Sequence, residues 1–240
     1  MNLLVKQRIL NLLGLTNSVS PFILRAQRLR GTILRSSERM RSHYLRTTRK
    51  PKLHIGSGWK RMEGWLNTDV EFFPGIMQMD ATLPFPFSDS TFEYIYAEHM
   101  IEHIAYPRAA AMLRECHRVM RRGGVIRVVT PNLAAVVGLY TSKLGPDQER
   151  YLSWLCQTFV PQDCPHNSTS AINVMFRSWG HQFIYDEETL RGSMDAAGFR
   201  CVERYMLGES RYPELRNIEN QQRYPEGLLN FESIALEGMK

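Results

Sequence analysis

The stretch that decides the fold is Leu53-His54-Ile55-Gly56-Ser57-Gly58, a largely apolar run that ends in two glycines one residue apart. The run predicts a buried strand, and the glycines predict the tight turn that follows it. In open α/β sheets, ligands bind at the carboxyl ends of the strands. We therefore expect residues 56–58 to form part of a ligand-binding turn.

An acid ends each of the next two predicted strands. Asp69 closes the run 65–69, and Asp80 follows the run 76–79. A carboxylate in the position of Asp69 accepts hydrogen bonds from the ribose hydroxyls of a bound nucleoside. The dinucleotide fingerprint G-x-G-x-x-G is incomplete, because Arg61 stands where its third glycine belongs. The pattern therefore favours a nucleoside-containing cofactor other than a dinucleotide.

Two downstream segments carry an ordered set of motifs. The first contains Pro86-Phe87-Ser88-Asp89-Ser90-Thr91-Phe92-Glu93, a predicted strand at 93–97, and then Glu98-His99. The second, at 113–124, contains Glu115, Arg118-Val119 and Gly123-Gly124. Together they resemble the class I methyltransferases that depend on S-adenosyl-L-methionine, especially the type 11 group associated with glycan biosynthesis. The resemblance is strongest over residues 51–135.

The resemblance implies an α/β fold with a doubly wound, mostly parallel, Rossmann-like sheet of seven strands. The implied strand order is 3-2-1-4-5-7-6, with the last strand antiparallel. The residues agree independently, because strand-like runs at 53–55, 65–69, 76–79, 93–97 and 125–130 alternate with helical or loop segments. Gly123-Gly124 is expected to end the helix before the fifth strand. Farther on, we predict a helix at 186–197 and strands at 200–206 and 231–237.

S-adenosyl-L-methionine is the implied cofactor, and its expected contacts lie at the ends of the first four strands. The expected cofactor-binding residues are His54, Gly56, Ser57, Gly58, Asp69, Val70, Asp80, Ala81, Ala97 and Glu98. Only ten residues separate Gly58 from Asp69. A connection of this length predicts a first helix of only about one or two turns, at about 3.6 residues per turn.

Three histidines are candidate catalytic bases: His99 and His103 after the fourth strand, and His181 farther on. Methyl transfer requires proximity, orientation and, for a hydroxyl acceptor, a proton acceptor. His181 follows residues 134–180, where this fold inserts elements that cover the substrate. Each histidine also has a purely structural interpretation, as a group that braces a helix or a loop.

Residues 99–103 also match H-x-x-E-H, the inverted zincin motif. On a helix, His99 and His103 lie one turn apart and share a face, which suits a zinc ion. No short downstream motif marks the further ligand that a metalloprotease needs. The surrounding strand and motifs favour the methyltransferase, and no metal is expected.

Residues 1–50 form a basic, amphipathic extension, predicted to be helical, ahead of a methyltransferase domain at 51–240. Residues 1–52 contain twelve basic residues and one acid, Glu38, so the rest of the chain is net acidic within a total of +6. An apolar stripe beside arginines suits an anionic membrane surface, a partner helix or the chain's own domain. Nucleic acid is disfavoured because the extension has few aromatic residues. A second copy of the chain is a further candidate partner.

The sequence thus predicts a methyltransferase, of the O-methyltransferase type, that acts on a sugar hydroxyl in glycan or polysaccharide biosynthesis. A membrane lipid or quinone-like acceptor is one alternative, and a non-catalytic subunit that binds S-adenosyl-L-methionine is another. The four cysteines contain no C-x-x-C pair, which favours a reducing cytoplasmic setting. The basic extension suggests a place at the inner face of the membrane.

Overall fold

The computed structural model describes residues 35–140, 143–220 and 224–240, in two units that divide between Thr47 and Thr48. In the first unit, residues 35–47 form helix α1, in which Arg41 pairs with Glu38. The prediction of helical structure at 1–34 lies outside the described residues. Among the described residues, no helix combines the length and the apolar character needed to cross a membrane.

The second unit is built on one seven-stranded sheet with the order β3-β2-β1-β4-β5-β7-β6. Its strands are β1 (Lys52–Ile55), β2 (Leu66–Asp69), β3 (Met77–Gln78), β4 (Phe92–Glu98), β5 (Met120–Pro131), β6 (Arg200–Tyr205) and β7 (Ser233–Met239). Strands β1 to β5 pair in parallel, and β7 runs antiparallel to both β5 and β6. The predicted fold class and strand order are confirmed.

Helices α2 (Tyr106–Val119) and α6 (Glu187–Ala196) follow from the local sequence. In α2, Met112, Leu113 and Cys116 recur at helical spacing and are buried. Asp186 caps α6, because its carboxylate accepts a hydrogen bond from the Thr189 backbone N–H at 2.8 Å. Helix α2 connects the parallel strands β4 and β5, as a crossover helix does.

Three local predictions were wrong. Helix α2 ends at Val119 instead of the glycine pair, because Met120 is already extended and starts β5; Gly123 instead bends that strand at φ +78°. The last strand begins at Ser233, because residues 228–232 are helical. Between Gly58 and Asp69 the described backbone forms turns and no helix, with the Asn67 side chain bonded to the Met62 backbone N–H and C=O.

Four helices form a separate layer beside the ends of β4 and β5. They are α3 (Leu133–Val137), α4 (Pro146–Phe159), α5 (Ser168–Arg177) and α7 (Leu228–Glu232). This helical layer has its own hydrophobic core, in which Tyr151, Leu155 and Met175 pack with Val136 and Leu228. Most of it comes from residues 134–180, for which the sequence predicts a substrate-covering insertion.

A fully buried arginine lies in the centre of the sheet. The Arg127 guanidinium on β5 pairs with Glu219 at 2.5 Å and with Glu237 of β7 at 2.6 Å. It also donates to the Glu209 and Met206 carbonyl oxygens, at 2.9 and 3.2 Å. This side chain therefore fastens the loop between β6 and α7 to the sheet.

Replacing Arg127 with Met should lower the free energy of unfolding by about 3–5 kcal/mol, because two buried carboxylates lose their counter-charge. Urea unfolding followed by tryptophan fluorescence measures the change. The control is Arg121→Met on the same strand, whose pair with Glu93 is partly exposed and whose loss should cost about 1 kcal/mol or less. Similar losses in the two variants would contradict this role of Arg127.

Candidate functional site

The glycine turn after β1 is held by strand β2. The Ser57 backbone N–H donates to the Thr68 carbonyl at 3.0 Å, and the Gly58 N–H donates to Asp69 Oδ2 at 2.7 Å. Gly56 and Gly58 both have positive φ, at +67° and +54°. Their environments differ. A Cβ on Gly56 would collide with Met100, whereas a Cβ on Gly58 would meet open space.

The turn opens onto a pocket of about 680 Å³ at the carboxyl ends of β1 and β2, which we call the strand-end pocket. Its volume falls in the range of small-molecule and cofactor sites. It is lined by Ile55, Gly56, Gly58, Asp69, Val70, Glu71, Phe73, Met79, Asp80, Ala81, Thr82, His99, Met100, His103 and Ile104. Six of the ten predicted cofactor-binding residues are therefore brought together here.

Three more predicted residues, His54, Ser57 and Glu98, line a smaller side pocket of about 170 Å³ that shares Gly56 and Gly58 with the strand-end pocket. There Glu98 Oε1 accepts a hydrogen bond from the Asn220 backbone N–H at 2.8 Å. Ala97 lines neither of these pockets and is buried in β4. No local motif marks Asn220, which reaches the side pocket from the distant loop before α7.

A second cavity of about 220 Å³, the histidine cavity, lies between the strand ends and the helical layer. The three candidate histidines share its wall with two carboxylates and a set of aromatic rings. Its lining consists of His99, Glu102, His103, Pro131, Tyr151, Trp154, Leu155, Phe159, Met175, Trp179, His181, Tyr224 and Glu232. His99 and His103 also line the strand-end pocket, so the two spaces adjoin.

His99 and Glu102 form a buried charged pair on this shared wall. His99 has a left-handed backbone (φ +46°), and its Nδ1 lies 3.4 Å from Glu102 Oε1. Burial opposes both charges, but the pairing outweighs it: the pKa of His99 is raised, and that of Glu102 is lowered. Thr130 donates to Glu102 Oε2 at 2.9 Å, and Ser233 Oγ lies 3.1 Å from His99 Nε2. Each of the two groups therefore favours the charged form of the other.

His103 and His181 face each other across the cavity, with ring centroids 4.9 Å apart. His181 Nδ1 lies 2.6 Å from the Met175 carbonyl oxygen, so Nδ1 carries the proton and Nε2 keeps its lone pair. Burial lowers the pKa of His103, although the nearby Glu102 opposes that effect. Both rings are thus suited to accept a proton or to bind a cation through nitrogen.

The zincin-like geometry considered from the sequence does not form. Residues 101–103 are a single 3-10 turn, and His99 precedes it with a left-handed backbone, so His99 and His103 do not share a helix face. Sequence reasoning also gave no functional role in a methyltransferase to Glu102, although the H-x-x-E-H spacing marked it. Glu232 was missed for lack of any local motif; its carboxylate accepts a hydrogen bond from Tyr151 Oη at 2.8 Å.

Residues 57–128 match the family model described as a methyltransferase domain. A comparison with curated proteins gives no match. This family match supports a methyltransferase that depends on S-adenosyl-L-methionine, with that molecule as the cofactor.

Among solved structures, an S-adenosyl-L-methionine-dependent methyltransferase from Archaeoglobus fulgidus is similar at a TM-score of 0.45 and 17% identity, over 91% of this chain and 99% of that one. A possible histamine N-methyltransferase from Thermotoga maritima is similar at a TM-score of 0.44 and 15% identity, over 92% of this chain and 97% of that one. A phosphoethanolamine N-methyltransferase from Haemonchus contortus, bound to S-adenosyl-L-methionine, is similar at a TM-score of 0.43 and 12% identity, over 80% of this chain and 49% of that one.

Replacing Asp69 with Ala should weaken S-adenosyl-L-methionine binding about 10- to 100-fold, since the change removes a charged hydrogen-bond acceptor and frees the Gly58 N–H. Calorimetric titration of the full chain measures the dissociation constant. Asp89→Ala, which removes an exposed carboxylate elsewhere, is the matched control. Equal affinities for both variants would show that the glycine turn does not hold the cofactor through Asp69.

Because His54 is buried, we expect the free energy of unfolding to depend on pH in a specific way. Burial lowers its pKa from 6.5 to about 4, and its Nδ1 lies 3.0 Å from Asn67 Oδ1. As the pH falls from 6.5 toward 4, the unfolded chain therefore takes up this proton first. The free energy of unfolding should decrease by up to about 3 kcal/mol over that window.

Urea unfolding between pH 4.5 and 7.5 checks this expectation. His54→Gln, which cannot titrate, should lose stability less steeply over that range than the native chain. The exposed His166→Gln should keep the native slope. A His54→Gln slope as steep as the native one would contradict the assignment.

Proposed function

We propose that the chain transfers the methyl group of S-adenosyl-L-methionine to a hydroxyl oxygen of a small polyhydroxylated acceptor, a sugar unit used in glycan synthesis. The observation that carries this proposal is the shared wall of the strand-end pocket and the histidine cavity. His99 and His103 belong to both. A cofactor in the first space and an acceptor in the second would meet at that wall.

The lining of the histidine cavity favours a sugar over an apolar acceptor. Rings of Trp154, Phe159 and Trp179 offer flat apolar surfaces against which the C–H faces of a sugar ring pack. Glu102, Glu232 and the histidines offer hydrogen-bonding and charged groups suited to hydroxyls. A purely apolar acceptor would shield these polar groups from water without offering them further hydrogen bonds, which is costly.

In the proposed reaction the acceptor hydroxyl loses its proton, and its oxygen attacks the methyl carbon of the sulfonium in line with the breaking C–S bond. The electron pair of that bond stays on sulfur, which gives S-adenosylhomocysteine and a methyl ether. The chain positions the two reactants and favours loss of the proton. His181 presents its Nε2 atom to the acceptor hydroxyl, because the Met175 carbonyl oxygen accepts the hydrogen on Nδ1.

His181→Ala should lower kcat about 100-fold or more while changing the dissociation constant of S-adenosyl-L-methionine less than twofold, because His181 lines only the acceptor side. Formation of S-adenosylhomocysteine with a panel of methyl glycosides measures turnover, and calorimetry measures cofactor affinity. His166→Ala, an exposed histidine outside the cavity, is the control. Undiminished turnover in His181→Ala would remove His181 from the mechanism, and cofactor binding without turnover on any hydroxyl acceptor would overturn the proposed function.

A further inference from the structure

We propose that Glu102, His103 and His181 bind a divalent metal ion, which in turn holds two neighbouring oxygens of the methyl acceptor. The second half of this inference rests on the proposed function. One ligand atom from each of the three residues lies within 4.8 Å of the other two. Two ligands of one first-row ion are separated by about 3–4 Å, so side-chain shifts of about 1 Å complete the site.

The strongest separate observation is an unsatisfied oxygen. Glu102 is fully buried, and its Oε1 accepts no hydrogen bond among the described residues. The nearest nitrogens to this oxygen are His99 Nδ1 at 3.4 Å, the ion pair described above, and His103 Nε2 at 3.9 Å. A buried carboxylate oxygen without a hydrogen bond is costly. A cation between Glu102 and the two facing imidazoles supplies the missing interaction.

The surrounding groups orient the three ligands as metal sites require. The Met175 carbonyl binds His181 Nδ1, which leaves Nε2 to face the cavity. The Nδ1 atom of His103 lies toward Gly180, and its Nε2 is the nitrogen near Glu102, at 3.9 Å. Thr130 fixes the other Glu102 oxygen at 2.9 Å. Outer hydrogen bonds that set the tautomer and ring direction are typical of metal-binding histidines.

The donor set indicates the class of metal. Two imidazole nitrogens and one carboxylate suit Mn²⁺, Fe²⁺, Co²⁺ or Zn²⁺, whereas Mg²⁺ and Ca²⁺ prefer oxygen ligands throughout. Three protein ligands leave coordination positions open. The adjoining cavity of about 220 Å³ has room for an acceptor fragment at those positions.

A vicinal diol fits open adjacent positions, because its two oxygens bind one ion through a five-membered chelate ring. The ion lowers the pKa of a bound hydroxyl. The hydroxyl proton leaves to solvent water, the oxygen takes the methyl group, and the C–S electron pair remains on sulfur. The inference thus makes His181 a ligand that acts on the acceptor through the ion, and it narrows the acceptor to a sugar with a free vicinal diol.

Metal binding is tested directly, without turnover. The full chain is stripped with a chelator and titrated with Mn²⁺, and free Mn²⁺ is followed by electron paramagnetic resonance. We expect one ion per chain, with affinity at least tenfold weaker in Glu102→Gln and in His181→Ala, and unchanged in His166→Ala. His181 lies on a partly exposed loop, so its variant tests the site even where Glu102→Gln does not fold. No binding by the native chain, or equal binding by native and His181→Ala chains, overturns the site.

Turnover measurements distinguish a failure of the metal site from a failure of the proposed function. Methyl glycosides with a free vicinal diol are compared with glycosides in which one of the two hydroxyls is already methylated, before and after chelation. Loss of activity on chelation, recovery with Mn²⁺ and a preference for the diol support the inference. Full activity in a metal-free chain overturns the metal site and leaves the proposed function intact. If His181→Ala abolishes Mn²⁺ binding but the native chain forms no methylated hydroxyl product, the metal site stands and the proposed function is overturned.

Discussion

The rest of the second unit depends on the buried guanidinium of Arg127. It stands on β5, between β4 and β7, and its two carboxylate partners come from β7 and from the loop before α7. That loop continues from Glu219 to Asn220, whose backbone N–H binds Glu98 at the end of β4. One buried ion cluster therefore joins the antiparallel part of the sheet to the wall of the side pocket. The loop that Arg127 holds also carries the backbone N–H that binds Glu98.

The sequence predicts the fold well where local pattern decides it. Short runs that end in glycine or in an acidic residue locate β1, β2 and β4 closely, and the resemblance supplies the strand order. The ends of α2 and β7 were misplaced, because tertiary pairing of Met120 and the helical turn before Ser233 override the local signal. The Arg127 partners lie 92 and 110 residues away. Contacts at such separations leave no periodicity in a single sequence.

The candidate site also has one part that local sequence pattern predicts and one part that depends on distant contacts. The strand-end pocket follows from residues at predicted strand ends, and six of its lining residues were named from the sequence as cofactor contacts. The histidine cavity needs α4, α5 and α7 to fold against the sheet, so Tyr151 and Glu232 had no recognisable local pattern. Gly56 is instructive. It lines the strand-end pocket within the predicted turn, but the position that a Cβ would take there is occupied by Met100.

The separate hydrophobic core of the helical layer has a consequence for how acceptor preference can change. The sheet supplies the strand-end pocket, while Trp154 and Phe159 come from a layer stabilised by its own contacts. Substitutions in that layer can therefore reshape the histidine cavity and leave the glycine turn and Asp69 undisturbed. Among the described residues, only His99 and His103 belong to both lining sets. Under the proposed function, such substitutions would change which acceptor fits while the site for S-adenosyl-L-methionine stays the same.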